Sequence, residues 1–155
     1  MRRQTELLAR AVISRRGRFL VARPAGGGYC YLPGGHVEGG ESLRACLERE
    51  LREELGARAS VGRYLGAVEH AWTDRAGRHH EVNHLFEARV RGVGTEPVSR
   101  ERGLEFLWVR AAELPAHGLE PAPLREYLAG RRSPAGGLWA STIERRARRR
   151  SGGGR

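Results

Sequence analysis

The sequence predicts a layered α/β domain, and three observations carry that expectation. Short β-branched and aromatic runs, punctuated by Gly, Pro and Asp turns, outnumber helices along the chain. One long run of strong helix formers lies between those runs rather than in a separate block. The 155 residues suffice for a single domain that buries its own core without disulfide staples.

Residues 7–14 are apolar and β-branched enough for a strand. Arg15-Arg16-Gly17-Arg18 is a turn, and residues 19–22 form the returning strand of a hairpin. Pro24-Ala25-Gly26-Gly27-Gly28 is a loop; residues 29–32 follow as a short strand, which Pro33-Gly34-Gly35 breaks. Residues 41–55 are the clearest helix, filled with Leu, Arg, Ala and Glu, with Gly56 where a C-terminal cap belongs. Leu47, Leu51 and Leu55 make an i, i+4 ridge that can face a core. Residues 60–73 and 79–90 are strand-like around Asp74-Arg75-Ala76-Gly77, and residues 104–109 form another strand. A short helix over residues 124–128 follows Pro121 and Pro123. Beyond residue 130 the composition turns to Gly, Arg, Ser and Pro, so the expected division is a domain over 1–130 and an Arg/Gly-rich tail over 131–155. That tail is expected to be partly disordered, with the apolar residues of 138–143 able to dock.

Charge and composition exclude several classes. No apolar run is long enough to span a bilayer, and the basic-then-apolar start is interrupted by Arg10, too short for a signal peptide. Cys30 and Cys46 have no metal-type spacing and suit reduced thiols in the cytoplasm. The net charge of +10 is less informative than its distribution. All 28 basic residues are arginine, which points to coding bias more than to a surface selected for phosphate. Residues 131–155 hold eight arginines against Glu144, whereas residues 1–130 hold twenty against seventeen acids. The body of the protein is nearly balanced.

The chemistry concentrates in residues 34–57. On a helix, Glu50, Glu53 and Glu54 fall within an arc of about 100° and repel one another by a few tenths of a kcal/mol per pair. Arg49 and Arg52 offset part of this but are expected to point around the helix, away from the patch. Clustered carboxylates are the ligands that hard cations such as Mg²⁺ prefer. Gly34-Gly35 and Gly39-Gly40 let backbone approach a ligand closely, so a carbonyl can join the same site. A solvated, glutamate-rich helix face after an ordinary loop is the competing interpretation of the cluster alone.

The complete pattern resembles the Nudix box, G-x5-E-x7-R-E-U-x-E-E-x-G-U, where U is a bulky aliphatic. Gly35, Glu41, Arg49, Glu50, Leu51, Glu53, Glu54 and Gly56 match at the correct spacing, and the final position is the smaller Ala57. The resemblance implies a Nudix-like α/β/α sandwich with a central mixed β-sheet. It also implies hydrolysis of a pyrophosphate linkage in a nucleoside diphosphate derivative with Mg²⁺ or Mn²⁺. Carried over position by position, Glu50, Glu53 and Glu54 match metal-binding carboxylates, and Gly35 matches the glycine that supplies a backbone carbonyl. Glu41 and Arg49 match the pair that braces loop against helix. The general base varies among members; Glu53 is favoured here, with Glu54 or a downstream glutamate as competitors.

Beyond the box, Arg23 and Tyr31 are candidates for substrate contact, and Glu81 or Glu105 for a further carboxylate. Each is equally readable as an ordinary strand residue. His79-His80-Glu81-Val82-Asn83-His84 is polar enough to line a cleft, with ordinary hydrogen-bonded histidines the simpler account. The expected partner is a small-molecule nucleotide, with no membrane; RNA is a less favoured partner, and a homodimer is compatible. The alternatives to a nucleotide hydrolase are a nucleotide- or RNA-binding regulator on the same scaffold, or an RNA 5′-end pyrophosphohydrolase that uses the basic tail.

Overall fold

Two long strands organise the molecule in this computed structural model, which describes residues 4–130 and 136–143. Strand β5 (Arg58–Asp74) turns back into β6 (Gly77–Arg91) as an antiparallel hairpin. Asp74 Oδ1 closes its tip by accepting from the N–H groups of Ala76 and Gly77 at 2.8 and 3.1 Å. Strand β1 (Glu6–Val12) lies parallel to β6 on its other side, and β4 (Gly34–His36) pairs antiparallel with β1. Strand β8 (Leu138–Ser141) runs parallel to β5, completing a mixed sheet of order β4-β1-β6-β5-β8. Strands β2 (Ser14–Arg15), β3 (Arg18–Pro24) and β7 (Leu104–Arg110) form a second, antiparallel sheet. A 3-10 turn (Ala111–Glu113) follows β7.

The period-2 alternation of the central strands feeds two cores. Ala9, Ala11, Phe86 and Ala88 face helix α1 (Leu43–Leu55), which contributes Cys46, Leu47, Leu51 and Leu55. Leu85 and Val68 face the other way, into a core with Val21, Leu114, Leu119 and Leu124 of helix α2 (Pro123–Leu128). Helices thus cover the sheet from both sides, the α/β/α arrangement expected. Among the described residues no helix is long and apolar enough to cross a membrane.

Helix α1 starts two residues later than expected because Ser42 caps it, its hydroxyl accepting from Ala45 N–H at 3.1 Å. Gly56 ends it in the left-handed conformation, φ 63°. Ala57, the undersized last position of the box, is 2% exposed and packs in the α1 core.

Two expectations need correction. Residues 29–32 make only isolated bridges, Tyr31 to Ala22 and Cys30 to Leu119, whereas Pro33-Gly34-Gly35, expected to break a strand, leads into one. The cause is contact: a Cβ at Gly34 (φ 141°) would overlap the carbonyl of Ala9, so glycine here permits strand pairing instead of ending it. In the expected tail, residues 138–141 do dock, as β8; residues 131–135 and 144–155 lie outside the described residues.

Candidate active site

The apolar ridge of α1 fixes which side of the helix faces out. With Leu47 and Leu51 fully buried, Glu50, Glu53 and Glu54 turn toward β4 and the loop after β6. They line a cleft of about 580 Å³ together with Arg10, Tyr31, Gly34, Gly35, His36, Arg100 and Glu101. That size suits a small-molecule ligand. The loop between β6 and β7 is tied to the helix end where Arg100 N–H donates to Glu54 O at 2.6 Å.

Arg49 is placed differently from expectation. Instead of pointing away, its Nη1 donates to Glu50 Oε1 at 3.0 Å and Glu53 Oε2 at 3.3 Å. Its Nε and Nη2 grip both oxygens of Glu41 at 2.7 and 3.0 Å, and Nη2 also reaches His36 O at 3.2 Å. This fork-on-carboxylate bond is what a lysine cannot make. It holds the Glu41 carboxyl down to about 2, helped by the Glu38 N–H, which donates to Glu41 Oε2. Arg52 supplies its carbonyl to the helix cap.

The three carboxylates are not equivalent. Glu53 is the open one, its side chain 57% exposed. Glu54 is 8% exposed, and burial pushes its carboxyl up to about 8; the neighbouring charges of Glu50 and Glu101 push in the same direction, and Arg10 opposes them. Gly35 sits against Glu50 so closely that a Cβ there would overlap its carboxylate. Among the described residues no three His, Cys, Asp or Glu side chains converge on one point as a finished cage.

Of the residues singled out from sequence, Gly35, Tyr31, Glu50, Glu53 and Glu54 meet in the cleft, with Glu41 and Arg49 bracing it. Arg23 and Glu81 do not line it. Arg23 is bonded to Glu105 at 2.6 and 3.1 Å across β3 and β7, which also accounts for Glu105. Glu81 is 8% exposed and accepts from Trp72 Nε1 at 2.8 Å and Asn83 Nδ2 at 3.3 Å. Sequence reasoning missed Arg10, His36, Arg100 and Glu101. A charged residue inside the apolar run of β1 was a signal for Arg10, and His36 stands next to Gly35 on β4; Arg100 and Glu101 have none, because loop geometry brings them in.

A family model for the NUDIX domain matches residues 5–130. The chain belongs to the Nudix family. It is similar to a CTP pyrophosphohydrolase of Escherichia coli (strain K12), 43% identical over 76 residues, covering 40% of this chain and 56% of that protein. A putative 8-oxo-dGTP diphosphatase 2 of Mycobacterium tuberculosis (strain H37Rv) is 42% identical over 86 residues, covering 54% of this chain and 55% of that one. The chain therefore spans about half the length of these curated relatives. Among solved structures, the MutT NUDIX hydrolase from Burkholderia pseudomallei superposes with a TM-score of 0.66 at 26% identity, over 81% of this chain and 98% of that one. The matched Nudix region contains α1 and every residue of the cleft, while β8 lies beyond it.

Proposed function

We propose that this Nudix protein is a divalent-metal-dependent pyrophosphohydrolase acting on the diphosphate linkage of a nucleoside diphosphate derivative, with a nucleoside triphosphate as the first substrate to test. One observation carries the reading: three carboxylates of one helix line, with Gly35, a cleft of ligand size, where Glu54 is held in a costly, buried environment. Carboxylates crowded this way suit a cation. The glycine pressed on Glu50 leaves the close approach that a Cβ would fill. Mg²⁺ completes its shell with water and phosphate, so one or two helix carboxylates satisfy it without a preformed cage.

Glu50, Glu53, Glu54 and the Gly35 carbonyl would hold Mg²⁺ or Mn²⁺. When bound, the metal neutralises the diphosphate and lowers the pKa of the attacking water. The chain's own residues position and move protons around that chemistry. Arg49 fixes Glu50 and Glu53 from one side and, through Glu41 and His36 O, locks the loop to the helix. Glu53, the most open of the three, is the base we assign to the water. Tyr31 offers an aromatic wall beside the diphosphate. The Nudix domain proper is the segment 1–130, whose sheet β8 completes from beyond it, and the buried thiols of Cys30 and Cys46, free of disulfides, accord with a cytoplasmic setting.

CTP and 8-oxo-dGTP, named for the relatives, head a phosphate-release screen with nucleotide sugars, dinucleoside polyphosphates and 5′-triphosphorylated RNA. Turnover with Mg²⁺ or Mn²⁺, lost in Glu53→Gln and Glu54→Gln, is the expected result. Equal product from wild type and both variants overturns the mechanism, and nucleotide binding without turnover favours a regulator.

A further inference from the structure

The cleft contains a positive charge that the carboxylate chemistry leaves without a task. Arg10 lies at the middle of β1, half-buried among apolar neighbours: Ala9 and Ala11 beside it are fully buried. Two of its N–H groups are occupied, Nε donating to Asn83 Oδ1 at 3.2 Å and Nη1 to Leu32 O at 3.2 Å. Its guanidinium carbon lies 5.0 Å from the Tyr31 ring centroid. Both partners are neutral, and among the described residues no carboxylate oxygen lies within 4.0 Å of its nitrogens.

The other arginine bonded at the site differs sharply. Arg49 touches Glu41, Glu50 and Glu53 directly. A guanidinium withdrawn from water normally acquires a carboxylate partner, because desolvation of an unpaired charge is costly. Burial does lower the Arg10 pKa, and the support against it comes from Glu81 most of all, then Tyr31, Glu54 and Glu50. Arg10 lines the cleft, and among the described residues three of its five guanidinium N–H donors have no hydrogen-bond partner.

The support behind Arg10 is built rather than incidental. Asn83 is 1% exposed and turns its amide oxygen to Arg10 while its Nδ2 donates to Glu81 Oε2. The other oxygen of Glu81 accepts from Trp72 Nε1, and the Trp72 ring stacks on His79 with centroids 3.9 Å apart and planes 10° from parallel. Each side chain in this row is fixed by the next. The amide orientation of Asn83 is set by the same pattern, since reversing it would face two acceptors and two donors toward each other.

We infer that Arg10 is a phosphate-binding residue of this cleft, its fork aimed by Asn83, Glu81 and Trp72 to take the diphosphate oxygens from the strand side while the helix carboxylates face them. The ligand class is a di- or polyphosphate oxyanion. The inference rests on the pyrophosphohydrolase reading for its setting, and it gives Glu81 a task through Arg10 rather than by contact with substrate.

The test is calorimetric titration of pyrophosphate with excess Mg²⁺ into the full chain, as wild type, Arg10→Gln and Arg10→Lys. Near-ultraviolet circular dichroism and the thermal midpoint report the fold of each. Arg10→Gln should bind at least about tenfold more weakly, and Arg10→Lys, which keeps the charge as a point donor, should fall between. If either folded variant binds pyrophosphate as wild type does, or wild type does not bind it, the assignment is overturned. A lowered midpoint with unchanged affinity makes Arg10 a structural residue only and overturns it equally. Because this measurement needs no turnover, a failed nucleotide screen refutes the enzyme reading separately, and turnover that survives Arg10→Gln with unchanged KM refutes the Arg10 role alone.

Discussion

Replacing Glu54 with glutamine should stabilise the metal-free protein above neutral pH and leave its stability unchanged in acid. The Glu54 carboxyl is 8% exposed, and burial, with Glu50 and Glu101 beside it, lifts it from 4.5 to about 8. Between those two values the folded protein retains a proton that the unfolded chain has released. Stability therefore declines as pH rises through that window and is lowest above about 8. At about 1.4 kcal/mol for each tenfold change, the complete displacement amounts to about 5 kcal/mol. Relaxation of the cleft and entry of water return part of this, leaving about 2–4 kcal/mol to be measured. Glutamine has the same shape and does not titrate. Urea unfolding of both proteins in EDTA, near pH 5 and near pH 9, gives the difference directly. The curves should converge in acid and separate in base, with the variant the more stable. A difference that does not change with pH, or a variant less stable at high pH, would refute the burial argument. Adding Mg²⁺ at high pH should stabilise wild type more than the variant.

Further outcomes follow from other contacts. Gly35→Ala should reduce turnover by about a hundredfold while the protein still folds, because the new Cβ displaces the Glu50 carboxylate from its place; kcat with Mg²⁺ and a thermal melt check this. Arg49→Lys should lower the thermal midpoint and kcat together, since one point donor cannot hold Glu41, Glu50 and His36 O at once. Gly66→Val should detach β8, because Gly66 has φ 127° and a Cβ there would overlap the Leu138 backbone; faster proteolysis beside Trp139 is the readout. His79 is raised above 6.5 by Asp74 first and then Glu6, so its stabilisation is complete below that value and lost as pH rises through the folded one. Urea midpoints of His79→Gln should accordingly vary less with pH than those of wild type.

The helix and its carboxylates were legible because they depend on local rules. Spacing on a 3.6-residue helix placed Glu50, Glu53 and Glu54 together, and Gly56 marked its end as observed. The hairpin around Asp74 was legible for the same reason, as its turn residues act within a few positions. What was not legible depended on long-range contacts. Gly34 looked like a breaker until Ala9, 25 positions earlier, was found against it. Arg49 was expected to point away because helical angle ignores a side chain long enough to sweep back across the patch. Arg23 and Glu81 were sensible candidates by type, yet cross-strand partners claimed the first and burial the second. Arg100 and Glu101 reach the cleft only because their loop is bonded to the helix end.

Strand β8 lies outside the matched region, yet Gly66, Ala67, Val68 and Glu69 are paired to it, and Ser141 Oγ donates to Glu69 Oε2 at 2.9 Å. A protein shortened at Gly130, the end of that region, would lose this cover and present a bare row of N–H and C=O groups along β5. Such an edge invites pairing with a second molecule. Loss of solubility on truncation would therefore report an exposed sheet margin, with the catalytic residues intact, and the shortest soluble form of this protein should extend through Thr142, whose hydroxyl accepts from Ala71 N–H at 3.2 Å.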